Sequence, residues 1–204
     1  MQNQLAIFAA LVALAVVTKL WAHRLYAFTK PLPIVFILFL AFLLPARPPA
    51  IWLMGLVFGL TGDLFLLSPR GFLPGLLSFL LGHIFYIWAF TQQQPGAPDI
   101  GLAVVVALSA ATIYAYLARL LLASRKKRYL FPVLMYVGVT GVLVVKAIQS
   151  RVIYPPILGA LLFALSDFLL AFNKFARQSW YIEAGVSLTY YPAQWLLAVH
   201  FAGL

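Results

Sequence analysis

The sequence predicts an all-α, polytopic membrane bundle of eight transmembrane helices, folded as a single transmembrane domain over residues 1–204. Three observations carry this. Hydrophobic residues make up 65% of the chain, and the mean hydropathy is +1.02. Charged residues make up only 9%, against about 25% in ordinary soluble domains, and no water-soluble fold of this size hides so much apolar surface. The apolar residues also fall into separate runs, most of them near the ~20 residues that cross a bilayer.

Taken in order, the runs lie at 3–21, 31–46, 50–68, 72–91, 100–122, 130–149, 155–173 and 181–203, divided by Pro, Gly and charge clusters. The first, "LAIFAALVALAVVTKLWA", lacks a basic leader and a small-residue cleavage site and reads as a retained helix. The second, "PLPIVFILFLAFLLP", is short and bracketed by prolines, so it spans only with tilt or local thinning. If it does not span, the count is seven. The chain has no cysteine, which excludes disulfides and thiolate chemistry.

Orientation follows from Lys and Arg in the connections. With eight spans, one side collects Lys19, Arg24, Lys30, Arg70, Arg119, Arg125, Lys126, Lys127, Arg128, Lys174 and Arg177; the other collects Arg47, Lys146 and Arg151. The first side is therefore cytoplasmic, and both termini lie outside the cytoplasm. The basic run "SRKKR" (124–128) reads as a topology determinant that can also touch anionic headgroups. The net charge of +10 needs no nucleic acid, and no soluble stretch is long enough to bind one.

The chain has four acids: Asp63, Asp99, Asp167 and Glu183. Asp99 lies in a loop as a solvated helix start, and Glu183 can reach headgroups from the start of the last helix. Asp63 and Asp167 fall inside apolar helices. A carboxylate there costs ~2.5–3.5 kcal/mol on insertion scales, and such residues usually mark function. Both lie about 8 Å inside the apolar layer from the basic side, at ~1.5 Å per residue. "GLVFGLTGDLFLL" aligns with "GALLFALSDFLLA" at an offset of 104. That is either a parallel four-plus-four repeat or chance similarity of short apolar runs.

Other polar residues converge on this layer. His83 and Tyr86 share one face of the fourth helix. Ser187, Tyr190 or Tyr191, and Gln194 follow helical spacing in the last helix, where Pro192 frees a backbone carbonyl. Ser166 and Asn173 flank Asp167. Gly55 and Gly59 allow a neighbouring helix to approach beside Asp63. Taken singly, a His, Tyr or Gln here also serves as interhelical hydrogen-bonding glue.

The stretches "GLVFGLTGDLFLL", "GHIFYIWAF", "ALSDFLLAF" and "YYPAQWLLAVH" together resemble the YhhN family, which includes the lysoplasmalogenases. The resemblance runs from Gly55 to the C-terminus. It implies a multi-pass membrane hydrolase that cleaves the vinyl ether bond of lysoplasmalogens to a fatty aldehyde and a glycerophospho-ethanolamine or -choline. The family's paired acids would be Asp63 and Asp167.

That chemistry suits these residues. A vinyl ether hydrolyses by protonation of its β-carbon, giving an oxocarbenium ion that water captures. The slow step needs a protonated carboxylic acid, and a second carboxylate stabilises the cation, much as glycosidases treat a similar cation. Which aspartate plays which role stays open at this point. His83, Tyr190 or Tyr191 would orient the carboxyls or bind the phosphate, with Tyr86, Gln194 and Ser166 beside them. Arg70 and Lys174 would line the rim. The partners expected are a lysophospholipid and membrane lipids, in an inner or plasma membrane if the source is bacterial.

No cofactor is expected. A zinc site needs three or four ligands, and His23, His83 and His200 fall at three different depths. A Ser–His–Asp arrangement would draw on Ser166, Ser78 or Ser187 near His83, but no GxSxG elbow is present. The rival class is a proton-coupled or lipid transporter using the same acids, since intramembrane carboxylates and a proline-interrupted helix are also its signature.

Overall fold

A backbone in hydrocarbon has no water to bond to and must close its hydrogen bonds within its own segment. Every long apolar run of this chain is accordingly helical. The computed structural model describes residues 2–44, 50–93, 96, 99–150 and 152–203, and among these no strand occurs. The helices are α1 (Gln2–Trp21), α2 (His23–Thr29), α3 (Leu32–Leu43), α4 (Ala50–Phe65), α5 (Phe72–Gln92), α6 (Ile100–Ala123), α7 (Leu130–Gln149), α8 (Leu158–Phe175) and α9 (Trp180–Ala202).

Among the described residues six stretches are long and apolar enough to cross a membrane: Gln2–Trp21, Arg24–Leu43, Phe72–Gln92, Ile100–Ala123, Lys127–Gln149 and Tyr154–Phe175. Large side chains such as Phe42, Ile100, Leu108 and Phe131 stand exposed on their outer faces, as a lipid-facing surface requires. The chain is a multi-pass membrane protein.

The second run departs from its expected start. Lys30 and Pro31 both keep right-handed helical backbone angles, so α2 and α3 form one 20-residue stretch from Arg24. A proline in the first turn of a helix removes an amide that has no partner anyway, so Pro31 and Pro33 are tolerated at the start of α3, and the chain passes into it from α2 without leaving helical backbone angles. The chain reverses at Ala22, and Thr18 and Thr29 bond across the hairpin at 2.6 Å. Lys30 is therefore not a loop residue. It sits at the junction of α2 and α3 with helical backbone angles and is buried.

Helix α4 has 16 residues, shorter than the other candidates. Helix α9 has 23 residues but carries Glu183, Ser187, Thr189, Tyr190, Tyr191 and Gln194. Its inner stretch, Tyr190 to Ala198, is largely buried, so it trades hydropathy for internal hydrogen bonds. It continues through Pro192. The most extensive packing joins α4 to α5 and α8 to α9. Gly55 makes room for the Tyr86 ring, and Gly62 does so for Phe79.

One end of the bundle gathers the basic connections. Phe72 packs edge to face on both Tyr129 and Phe175, which lie tilted against each other, and Lys126 Nζ reaches the Lys174 carbonyl. At the other end His200 bonds Gln93 at 2.8 Å, and Phe90 packs on Phe201. Asp99 caps α6 through Leu102 N at 3.0 Å, as a solvated helix start should. Arg47 and Arg151 lie outside the described residues.

Candidate active site

At the basic end a cavity of about 350 Å³ opens between α1, α2, α4, α5, α8 and α9. Asp63, Asp167, Ser166, Tyr190 and Tyr191 all line it. Lys19, Lys30, Lys174 and Glu183 also line it, with Asn173 and Ser187. Of the residues expected at the site, His83, Tyr86 and Gln194 do not line the cavity. They stand behind its wall and hold the residues that do.

The two carboxylates sit in unlike settings. Asp167, on α8, accepts from Tyr136 Oη at 2.7 Å and from Thr140 Oγ1 at 3.3 Å. His83 Nε2 lies 3.1 Å from its Oδ2. His83 Nδ1 lies 2.7 Å from the Phe79 carbonyl. A carbonyl only accepts, so Nδ1 carries a hydrogen. One further proton must then lie between Nε2 and Oδ2, because two bare lone pairs would repel. The pair is neutral overall, whichever partner holds that proton.

Asp63, on α4, is paired with a cation. Lys30 Nζ lies 3.4 Å from its Oδ1 and donates to its main-chain oxygen at 2.9 Å. Both side chains are below one tenth exposed. The Lys30 carbonyl in turn accepts from Tyr191 Oη at 2.8 Å, which ties α9 to the α2–α3 run. Asp63 Oδ2 is buried and accepts no hydrogen bond from the described residues. Ion pairing leaves Asp63 one bare oxygen, whereas hydrogen bonds with three side chains enclose Asp167.

Behind the cavity Tyr86 Oη donates to Gln194 Oε1, and Gln194 Nε2 donates to Tyr190 Oη at 3.2 Å. This chain locks Tyr190 in the wall. It depends on Gly59, where an added Cβ would stand 2.7 Å from Gln194 Nε2 and 2.8 Å from Tyr190 Oη.

The rim differs from expectation. Lys174 lines the cavity and Arg70 does not. Lys19 is paired with Glu183 at 3.1 Å, and Asn173 Nδ2 also donates to Glu183. Lys174 Nζ sits over the Phe72 ring at 5.0 Å, with no acidic partner among the described residues. The serine-nucleophile alternative lacks its key contact. Ser166 donates to the Val186 carbonyl, Ser78 to that of Phe58 and Ser187 to that of Glu183, while His83 is engaged at both nitrogens. Among the described residues no group of three or more His, Asp or Glu is placed to hold a metal ion.

Lys30, Tyr136 and Thr140 were not among the residues expected at the site. Lys30 was masked by its neighbouring prolines. Tyr136 and Thr140 carry a readable signal, since a four-residue spacing puts both hydroxyls on one face of α7.

The chain is 36% identical to lysoplasmalogenase TMEM86A of Homo sapiens over 172 residues, covering 78% of this chain and 68% of the relative. It is 31% identical to the human lysoplasmalogenase TMEM86B over 146 residues, covering 71% and 60%. Against the Sus scrofa TMEM86B it is 33% identical over 150 residues, covering 68% and 57%. The chain thus spans about three fifths of the TMEM86B relatives' length. No solved structure matches it. The YhhN family model matches residues 25–201, both aspartates included, and the chain belongs to the YhhN family.

Proposed function

We propose that this chain is a membrane-embedded hydrolase of the lysoplasmalogenase type, cleaving the vinyl ether bond of a lysoplasmalogen. The observation that carries the reading is the pair of aspartates on one cavity, one sharing a proton with a histidine and the other holding a bare oxygen beside a lysine. The relatives named as lysoplasmalogenases supply the substrate class.

The two settings suggest separate roles. Asp167 is the member of the Asp167–His83 pair that faces the cavity, so the shared proton leaves through it. It passes to the β-carbon of the alkenyl ether. The double bond becomes a C–H bond, and positive charge develops on the oxygen-bearing carbon. Tyr136 and Thr140 stabilise the carboxylate left behind. Water adds to the cation and gives its proton to the Asp63 carboxylate, forming a hemiacetal. Asp63 then protonates the glyceryl oxygen as that C–O bond breaks, while Asp167 takes the hydroxyl proton. The products are a fatty aldehyde and the glycerophospho-alcohol, and both aspartates return to their starting states. Lys174 is placed to meet the phosphate at the rim.

The finer topology belongs to the same reading. Eight spans follow if α4 and α9 cross beside the six long apolar stretches. The clustering of basic connections at one end supports this, with that end cytoplasmic and the termini on the other side. Helices α4 and α8 each carry one aspartate toward the same cavity, which supports the four-plus-four repeat.

The test is aldehyde release from lysoplasmenyl-ethanolamine by purified protein in detergent, where a carrier would do nothing. The expected result is turnover by the parent, abolished in Asp167→Asn and strongly reduced in Asp63→Glu, with both variants folded. A silent parent protein, or full activity in both variants, overturns the reading.

A further inference from the structure

A second cavity of about 240 Å³ lies between α6, α7 and α8. Its wall is almost wholly apolar and includes Val106, Ala110 and Ile113 of α6, Gly141 of α7, and Leu161 and Ala164 of α8. The i, i+3 and i+4 spacing puts the α6 residues on one helix face. From Val106 to Leu117 that face runs about 16 Å.

Asp167, Phe72 and Leu170 line both cavities. Asp167 therefore stands where the polar cavity meets the apolar cleft. The cleft's few polar groups are all spent inside the protein. Tyr136 and Thr140 donate to Asp167, and Ser109 Oγ donates to the Val105 carbonyl at 2.9 Å. No donor is left in the cleft for a polar ligand.

We propose that this cleft holds the hydrocarbon tail of a single-chain lipid whose headgroup occupies the polar cavity, so that the bond at the tail's head falls beside Asp167. The proposal rests on reading the polar cavity as a lysolipid site. The two walls match the two halves of such a molecule: lysines at the rim for a phosphate, a methylene-lined cleft for one chain. The tail arrives from hydrocarbon, so water exclusion contributes nothing to its transfer. The cleft selects by fit and serves to place the reacting carbon.

The probe is a 1-O-alkyl lysophosphoethanolamine with a diazirine near the end of its chain. Its saturated ether resists acid-catalysed cleavage, so binding is read apart from chemistry. We expect photolabelling on the cleft faces of α6, α7 and α8, displaced by unlabelled lysolipid and not by excess diacyl phospholipid. An added Cβ at Gly141 makes only ordinary contacts, at 3.7 Å from Ala110 and Val106. Gly141→Ala should therefore keep the labelling. Gly141→Phe, which fills the cleft, should reduce it about tenfold or more, in line with overpacking elsewhere.

Labelling confined to the outer surface, or equally displaced by diacyl lipid, overturns the proposal. So does labelling that Gly141→Phe leaves unchanged while the variant still folds. Aldehyde release is measured beside it. A silent parent with a labelled cleft removes the hydrolase reading and keeps the tail site; an active parent labelled elsewhere does the reverse.

Discussion

His83 Nε2 stands 3.1 Å from Asp167 Oδ2 while its Nδ1 bonds the Phe79 carbonyl at 2.7 Å. The imidazole is held from both sides, between its own helix and α8. It is fully buried behind the cavity wall and cannot touch a substrate. In the proposed reaction His83 would therefore serve as a positioning residue, acting through Asp167.

This separates its kinetic signature from that of a binding residue. His83→Ala should lower kcat by about 100-fold, the lower range for loss of acid–base assistance, with KM nearly unchanged. Steady-state kinetics on folded protein checks this. An equal fall in kcat for Phe79→Leu, which keeps the carbonyl, would point to packing instead.

Lys30 and Asp63 are coupled through burial. Removing one charge of a buried pair leaves the other uncompensated and costs about 3 kcal/mol or more, whereas removing both is often neutral. Lys30→Met should thus lower the thermal midpoint in detergent sharply, and Lys30→Met with Asp63→Asn should restore most of it. Activity should stay low in the double variant. Recovery of stability without activity assigns Asp63 to chemistry and Lys30 to holding it.

The aspartates and His83 were legible because a polar group inside an apolar helix is costly and stands out from its surroundings. Asp63 and Asp167 share a wall as their similar depth implied. Pro31 and Pro33 looked like the boundary of a span, yet proline is tolerated in the first turn of α3 and α2 leads into it with helical backbone angles, which turned Lys30 from an apparent loop cation into a buried partner. Tyr136 and Thr140 resembled ordinary interhelical contacts. The cleft between α6, α7 and α8 left no trace in composition, because a tail-binding face and a lipid-facing one use the same residues. Tyr86 and Gln194 were placed near the acids, but their bonds run to each other and to Tyr190.

Two glycines give a paired test of packing. At Gly59 an added methyl would press on Gln194 and Tyr190, while at Gly138 nothing lies within 4 Å. Gly59→Ala should cost about 1–3 kcal/mol and reduce activity by displacing Tyr190. Gly138→Ala in α7 should be neutral or stabilise by about 0.5–1 kcal/mol, since alanine loses less backbone entropy in a helix. Thermal unfolding of the two variants side by side decides it.

Lys174 offers the clearest split between binding and catalysis. Its ammonium lines the polar cavity without a carboxylate partner among the described residues, while Lys19 is already held by Glu183 and Lys30 by Asp63. A phosphate arriving from the basic end therefore finds one uncommitted cation on the wall. A charged hydrogen bond is worth about 1.5–3 kcal/mol, so Lys174→Gln should raise KM by about tenfold or more. The proton transfer proposed for Asp167 would not involve this group, so kcat should change little. Lys174→Arg should recover much of the affinity, because it restores the charge. A fall confined to kcat would instead place Lys174 in the chemistry and move the phosphate site elsewhere.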